Sequence, residues 1–385
     1  MSRRWLYALN FLMATSIGLV FVFLADVQDR YGLADWQLGF VASMGFLAAL
    51  VTQLLLAPLL DRGHIRSLAW VAVAIGIVGA AGFAFANTFW LLAVCRGMSG
   101  ISLGLFGVVA RKALIGLDIA GGGAKVGAML STGVAGFLTG PLLGALLGAI
   151  SFETPFIVVA VLIAIVGVPA ARYASNAEIA TAAVDYSDVG ALLRAPRVQI
   201  AIVAQIMVFG FIGIFDSIID RYLTDLGAST TAIALALFVT GAPLLIIPAK
   251  AGALAERVGG VRVVLPALLL SLPCIVLFGL ATGVVMFAAV GFFQGTAESF
   301  ASMGGQVLVL EAAGADRSAI GGAILEVVGM ATAAITSVLA PVVYGAEGSR
   351  VLFGAYAACA AVLILLAALR MKSISLPHAA RHSNR

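Results

Sequence analysis

Long apolar segments, separated by short polar ones, dominate the chain. Each is close to the ~20 residues that an α-helix needs to cross the hydrocarbon core of a bilayer. Six precede a polar stretch at 172–196 and six follow it. They lie near 5–26, 38–60, 67–86, 88–110, 126–150, 154–171, 197–219, 229–250, 261–280, 283–310, 318–343 and 349–370. The pattern predicts an all-α membrane protein with twelve transmembrane helices.

The polar stretch divides this pattern into two halves. We predict an N-terminal six-helix bundle over 1–171, a cytoplasmic linker over 172–196, a C-terminal six-helix bundle over 197–371 and a cytoplasmic tail over 372–385. Arg3 and Arg4 precede the first apolar segment, as in a signal peptide. No convincing small-residue cleavage site follows, so we expect this segment to be retained as the first helix.

Composition and charge support a membrane protein and orient it. Hydrophobic residues make up 62% of the chain and charged residues only 10%, whereas soluble proteins average about 45–50% and 25%. If the predicted helices alternate in direction, 18 of the 22 basic residues fall in segments on the same side of the membrane as the N-terminus. The positive-inside rule therefore places both termini in the cytoplasm, and we expect a plasma membrane location, the inner membrane of a bacterium.

The chain lacks the residues that several classes of function require. The net charge of +4 is not gathered into a basic face, so we expect no nucleic acid partner. Cysteines and histidines form no cluster in any apolar segment, so we expect no metal site, no cofactor and no membrane-embedded enzyme or sensor. An ATP-driven pump is disfavoured by the lack of a phosphate-binding loop motif. Any proton chemistry within the membrane must then use carboxylates.

The two halves also match each other in short motifs. Asp29-Arg30-Tyr31 recurs as Asp220-Arg221-Tyr222 at the corresponding end of the seventh helix, and Asp61-Arg62 corresponds to Glu256-Arg257. Duplicated halves of membrane transporters place a binding site at their interface near the midplane of the bilayer. We therefore expect two six-helix bundles related by a pseudo-two-fold axis around a central site.

One loop carries a recognisable signature. The segment 252–262, GALAERVGGVR, resembles the G-x-L-a-D-r-x-G-r-k motif of the major facilitator superfamily, with Glu256, Arg257 and Arg262 as its charged positions and Gly252 as its leading glycine. The counterpart at 57–66 is degraded, because Ala57 replaces that glycine and the turn glycine has moved by one place. Its charged positions are Asp61, Arg62 and Arg66.

The fifth helix contains the most specific motif. Gly127, Gly136, Gly140, Pro141 and Gly144 resemble the antiporter signature of the drug:proton antiporter branch of this superfamily, with Ala145 in place of the usual final glycine. Glycines on one helix face allow a neighbouring helix to approach closely, and proline bends the helix. A plain packing face is the alternative interpretation. The resemblance implies export in exchange for protons.

Arg96 lies inside the fourth helix, in a segment similar to the family's R-x-x-q-G pattern with Ser99 at the glutamine position. A guanidinium in the hydrocarbon costs about 2.5–3.5 kcal/mol on insertion scales, so it needs a cavity or a partner acid. The resemblance implies a role in proton transfer. A structural ion pair or outward snorkelling is the alternative.

Four acids in or near the spans are candidates for protonation or for binding a cationic group. Glu298 and Glu326 are expected to be the deeper pair. Asp26 and Asp216 are related by the repeat and lie nearer the outer ends, where a position hydrated by external water is an equal alternative to a coupling role.

Polar and aromatic side chains within the spans suggest a substrate pocket. The candidates are Asn10, Gln53, Gln205, Phe209, Phe211, Phe215, Phe292, Phe293 and Gln294. Phenylalanines, amides and one or two acids suit an amphipathic, cationic organic molecule better than a sugar or a phosphate.

We predict a monomeric transporter that exports small amphipathic or drug-like compounds in exchange for protons by alternating access. The alternative is a proton-coupled symporter or facilitator that imports a small nutrient, such as a sugar or an organic acid.

Overall fold

The computed structural model describes residues 3–61, 64–116, 122–176, 189–314 and 318–382. Within these ranges the chain forms fourteen α-helices and no strand, as the sequence predicts. The helices are α1 (Arg4–Leu19), α2 (Leu24–Tyr31), α3 (Asp35–Asp61), α4 (Ile65–Phe85), α5 (Phe89–Gly116), α6 (Gly122–Gly148), α7 (Thr154–Ala174), α8 (Val189–Arg194), α9 (Pro196–Asp225), α10 (Thr230–Ile246), α11 (Pro248–Val258), α12 (Gly260–Gly279), α13 (Val284–Ala313) and α14 (Ser318–His382).

The described helices account for the predicted spans. Ten are long and apolar enough to cross a membrane, and α10 with α11, which meet at a bend of 42°, make one more. The last helix, α14, contains two spans, because the backbone at Gly348 leaves the helical region with φ of 79° and ψ of −179°. Glycine tolerates this conformation since it lacks a Cβ atom. Counting both parts of α14 gives the twelve spans expected.

The first span is not one continuous helix. After α1, a short 3₁₀ turn covers Val20–Val22, and Phe23 adopts a non-helical conformation before α2 begins. Backbone N–H groups at the start of a helix have no partner within the helix. The interruption therefore leaves backbone N–H groups at the start of α2, including that of Ala25, to find partners outside the helix.

Successive spans alternate in direction, so the bundle has two ends. We call the end where α1 begins the terminal face and the end where α2 finishes the distal face. The N-half comprises α1 to α7 and the C-half α9 to α14, and they meet chiefly along α3 against α14 and α6 against α10. Residues 177–188 of the predicted linker at 172–196 lie outside the described residues, and its described part includes α8.

Candidate functional site

A cavity of about 70 Å³ lies between the two halves. Its wall is mostly apolar and aromatic, with two carboxylates and one amide. Phe21, Phe137, Leu138 and Pro141 come from the N-half, and Phe211, Ile212, Phe215, Asp216, Leu237, Thr240, Gly241, Leu244, Gln294, Gly295 and Glu298 come from the C-half. Helices from both repeats thus enclose one central site, the arrangement expected for duplicated halves.

Arg96 and Asp216 form a buried ion pair that connects the halves. One Arg96 guanidinium nitrogen, Nη2, lies 2.9 Å from both oxygens of the Asp216 carboxylate. The other, Nη1, donates to the carbonyl oxygen of Ile17 at 2.8 Å. Both residues are only 1% exposed. A guanidinium in the hydrocarbon needs a partner acid, and for Arg96 this acid is Asp216. Asp216 lies deeper than its sequence position near the end of α9 suggested.

The interrupted first span brings a second acid of α9 to the N-half. Asp220 accepts a hydrogen bond from the backbone N–H of Ala25 at 2.8 Å and is 3% exposed. Asp220 follows Asp216 by four residues, which puts both on one face of α9. Asp220 belongs to the repeated triplet in the sequence but is not among the predicted site residues. Its spacing from Asp216 was the available signal.

The distal face carries further contacts between the halves. Arg221 Nη1 donates to Asp29 at 2.6 Å, and the backbone of Gly345 packs against the Asp35 side chain. Asp26, predicted as a candidate acid, is exposed nearby and does not line the cavity.

Glu298 is the second carboxylate of the cavity. It is 5% exposed, and Gln294 Nε2 donates to its Oε1 at 3.1 Å across one turn of α13. Among the described residues, no basic side chain lies within ion-pair distance of Glu298. A buried carboxylate without a partner cation is costly, so this position favours either a proton or a cationic ligand.

The structure corrects the expected depth of Glu326. Its side chain is 32% exposed and lies 3.7 Å from Arg111 Nη2 near the terminal face. Glu326 therefore does not lie as deep in the bundle as Glu298. The position of the eleventh span along its axis puts Glu326 close to the end of the bundle. The pair does join α5 to α14 and hence one half to the other.

Of the nine pocket candidates, three line the cavity: Phe211, Phe215 and Gln294. Asn10 instead packs inside the N-half, where its amide donates to Met129 O at 2.9 Å. Gln53, Gln205, Phe209, Phe292 and Phe293 also lie outside the lining. Phe292 is 43% exposed on the outer surface. Hydrophobicity gave no information about helix rotation, so these side chains could not be assigned to the cavity or to the outside.

The glycine motif of α6 packs against the first span. A Cβ atom at Gly136 would meet the backbone of Phe11, and one at Gly140 would lie 2.5 Å from Leu19 N. At Gly144 it would lie 2.7 Å from a Val22 methyl group, whereas Gly127 has open space. The close approach places Pro141 on the cavity wall.

The loop motifs lie at the terminal face. Gly259, with φ of 92°, ends α11 and allows α12 to start at once. Gly252 and Glu256 line a surface pocket, and Arg257 and Arg262 are exposed. In the other half, Asp61 ends α3 and Arg66 is exposed in the first turn of α4. Arg62 lies outside the described residues.

Two halves of six helices around a central cavity, with costly charges at their interface, define a polytopic transporter fold. Models of the Major Facilitator Superfamily match residues 6–199 and 200–383. The chain therefore belongs to this superfamily of transporters.

Solved structures share the fold at low sequence identity. The nucleoside transporter NupG matches with a TM-score of 0.74 and 16% identity, over 97% of this chain and 100% of that one. A substituted variant of NupG gives 0.77, also at 16% identity, over 95% and 99%. A bacterial homologue of the human lysosomal transporter Spinster, inward-facing and unoccupied, gives 0.69 at 16% identity and covers 95% of each chain.

A curated relative is similar over a short segment. The D-xylose transporter of Levilactobacillus brevis is 35% identical over 78 residues, which make up 20% of this chain and 17% of that protein. The match spans less than a fifth of the relative's length, so its substrate does not define the substrate of this chain.

Proposed function

We propose that this transporter exports small amphipathic organic compounds in exchange for protons. The observation that carries the proposal is the central cavity, where Glu298 has no basic partner in the described part of the chain and lies among aromatic and aliphatic side chains. Protonation of Glu298 and binding of a cationic substrate there exclude each other. This competition is a simple physical basis for exchanging one for the other.

The chemistry of the wall favours an amphipathic substrate over a sugar. Apart from Asp216, which is paired with Arg96, the polar side chains of the lining are Thr240, Gln294 and Glu298. A sugar would bury several hydroxyl groups that need partners, and an unmet buried hydroxyl costs about 1–3 kcal/mol. Aromatic rings at Phe211, Phe215 and Phe137 instead provide an apolar surface.

Transport would proceed by rocking of the two halves around the cavity. We place the terminal face in the cytoplasm, on the distribution of basic residues, and the protein in the plasma membrane as a monomer. Contacts across the halves at the distal face, such as Asp29 with Arg221, would form and break in each cycle. The Arg96–Asp216 pair would hold the halves together where the rocking axis passes.

Export is favoured over import by the resemblance of the α6 motif to an antiporter signature and by its position. Gly136, Gly140 and Gly144 set the close contact between α6 and the first span, and Pro141 reaches the cavity. Movement of α6 relative to the first span would thus change the cavity directly.

Import of a small nutrient is the second candidate. It is favoured by the names of the similar proteins, a D-xylose transporter and a nucleoside transporter. Because both functions use the same fold, the direction of flux relative to the proton gradient distinguishes them.

The test uses the purified full chain in liposomes with an imposed pH gradient. Export in exchange for protons predicts that an acidic compartment drives uptake of an amphipathic cation into it, against the cation's concentration gradient. Glu298→Gln should abolish this dependence on the gradient, since glutamine takes up no proton. Glu311→Gln is the matched control, because Glu311 lies on the same helix but near the terminal face, 3.6 Å from Arg197.

Flux of a sugar or nucleoside in the same direction as protons would contradict the proposal and favour import. Unchanged gradient dependence in Glu298→Gln would remove Glu298 from the coupling.

A further inference from the structure

We infer that the central cavity selects organic cations that carry N–H donors, such as primary ammonium groups, over quaternary ammonium ions. The inference rests on the proposed function, because it concerns the substrate of the same cavity. It is carried by the hydrogen-bonding groups that the C-half presents there.

Gln294 presents an unused acceptor. Its side chain is 2% exposed and lines the cavity, and its Oε1 has no hydrogen-bond partner among the described residues. The amide nitrogen is already engaged, since it donates to Glu298. A carboxamide oxygen accepts up to two hydrogen bonds, and leaving a buried one without a partner is unfavourable. A ligand that donates a hydrogen bond would satisfy this atom.

Glu298 supplies the negative charge next to that acceptor. The Glu298 carboxylate and the Gln294 amide lie one turn apart on α13 and are joined by their own hydrogen bond of 3.1 Å. A cationic N–H group that reaches the carboxylate therefore finds the amide oxygen beside it. Thr240 on α10 adds a hydroxyl that also has no partner among the described residues, where it packs against Gly291.

Among the described residues of the lining, the buried polar atoms without a hydrogen-bond partner are the Gln294 amide oxygen, an acceptor, and the Thr240 hydroxyl, which can donate or accept. A primary ammonium ion has three N–H donors and can use the carboxylate and the amide oxygen together. A quaternary ammonium ion has the same charge but no N–H, so it would leave the amide oxygen of Gln294 without a partner. Charge alone attracts both ions, and hydrogen bonding separates them.

The rest of the cavity fits the apolar part of such a cation. Phe211 and Phe215 lie one turn apart on α9 with ring centroids separated by 5.4 Å, and Phe137 and Leu138 face them from α6. An aryl-alkyl amine therefore matches the chemistry of this lining.

The test compares two probes that differ only in the head group, 2-phenylethylamine and its N,N,N-trimethyl analogue. Both are monocations at neutral pH, and their binding to the purified full chain is measured by titration calorimetry. We expect the primary amine to bind about 10-fold more tightly or better, from the strength of a hydrogen bond to a charged donor. Gln294→Leu should bring the two affinities close together, and Glu298→Gln should weaken both.

Glu311→Gln is the control and should retain the preference, because its carboxylate lies outside the cavity. Gln294→Met is a second variant in case Gln294→Leu does not fold, which an unfolding midpoint measured beside each titration would reveal. Equal affinities of the two probes for the unaltered protein would overturn the inference. So would an unchanged preference in the Gln294 variants, or no measurable binding of the primary amine.

Failure here is distinguishable from failure of the proposed function. Equal binding of both probes leaves proton-driven export intact, whereas a preference for the amine without any proton-linked flux leaves the selectivity intact.

Discussion

Arg96 carries a full charge at the centre of the molecule, and its environment balances that charge with Asp216 at 2.9 Å. Removing one partner of a buried pair leaves the other charge without compensation, which typically costs about 3–5 kcal/mol. We expect Asp216→Asn or Arg96→Met each to lower the free energy of unfolding by that amount. The double variant Arg96→Met with Asp216→Asn should cost less than the sum of the single variants. Chemical unfolding of the purified protein in detergent measures all three.

The matched control is the pair of Arg111 and Glu326, which also joins the halves but is about one-third exposed at 3.7 Å. Pairs this exposed contribute about 0–1 kcal/mol, so Glu326→Gln should change stability little. Comparable losses in Asp216→Asn and Glu326→Gln would mean that burial does not set the strength of the central pair.

The sequence indicated which charged side chains are unfavourable in the hydrocarbon, but not which of them contact each other. Arg96 needed a partner in the hydrocarbon, and four acids were available along the chain. Choosing Asp216 requires the rotation of α9 about its axis, which depends on packing between helices that are distant in sequence. The same missing information placed Glu326 too deep and assigned Asn10, which bonds to α6, to the pocket.

The contact between α6 and the first span depends on the absence of side chains on α6. A Cβ atom at Gly140 would lie 2.5–2.7 Å from backbone atoms of Leu19, Gly18 and Thr15, closer than packing permits. Backbone cannot move aside as a flexible side chain can, so Gly140→Ala should destabilise the protein by about 1–3 kcal/mol. The change in thermal unfolding midpoint in detergent measures the loss.

Gly127→Ala is the control on the same helix, since no described atom lies within 4 Å of the Cβ atom it would add. Alanine is the better helix former, so this variant should be neutral or more stable by up to about 1 kcal/mol. A loss of stability in Gly127→Ala as large as that in Gly140→Ala would refute the packing explanation.

The lengths of the apolar segments were sufficient to predict the helices, because each must span the bilayer. The interruptions were harder. The bend between α10 and α11 coincides with Pro248, which cannot continue the hydrogen bonding of α10. The break at Phe23, however, falls in an apolar run without proline, and the nearest glycine, Gly18, lies five residues earlier. It is stabilised by a contact with Asp220 almost two hundred residues away, which local pattern does not reveal.

For the whole molecule, alternating access requires that the distal contacts between the halves open. Asp29 and Arg221 lie on opposite halves and are joined at 2.6 Å. Replacing both with cysteine and joining them with a short bifunctional thiol reagent should therefore stop substrate flux in liposomes, and cleaving the link should restore it. Cys359, which is exposed, is first replaced with alanine so that the reagent reacts only at the new sites.

The control link joins Asp225→Cys to Tyr344→Cys, whose native side chains meet at 2.7 Å on the same distal face but within the C-half. If each half moves as a unit, this second link crosses no moving boundary and flux should continue. Flux that survives the Asp29–Arg221 link would mean that the halves do not separate at this face. Loss of flux with both links would mean instead that the C-half itself deforms during transport, so the pair of links distinguishes rocking of rigid halves from rearrangement within one of them.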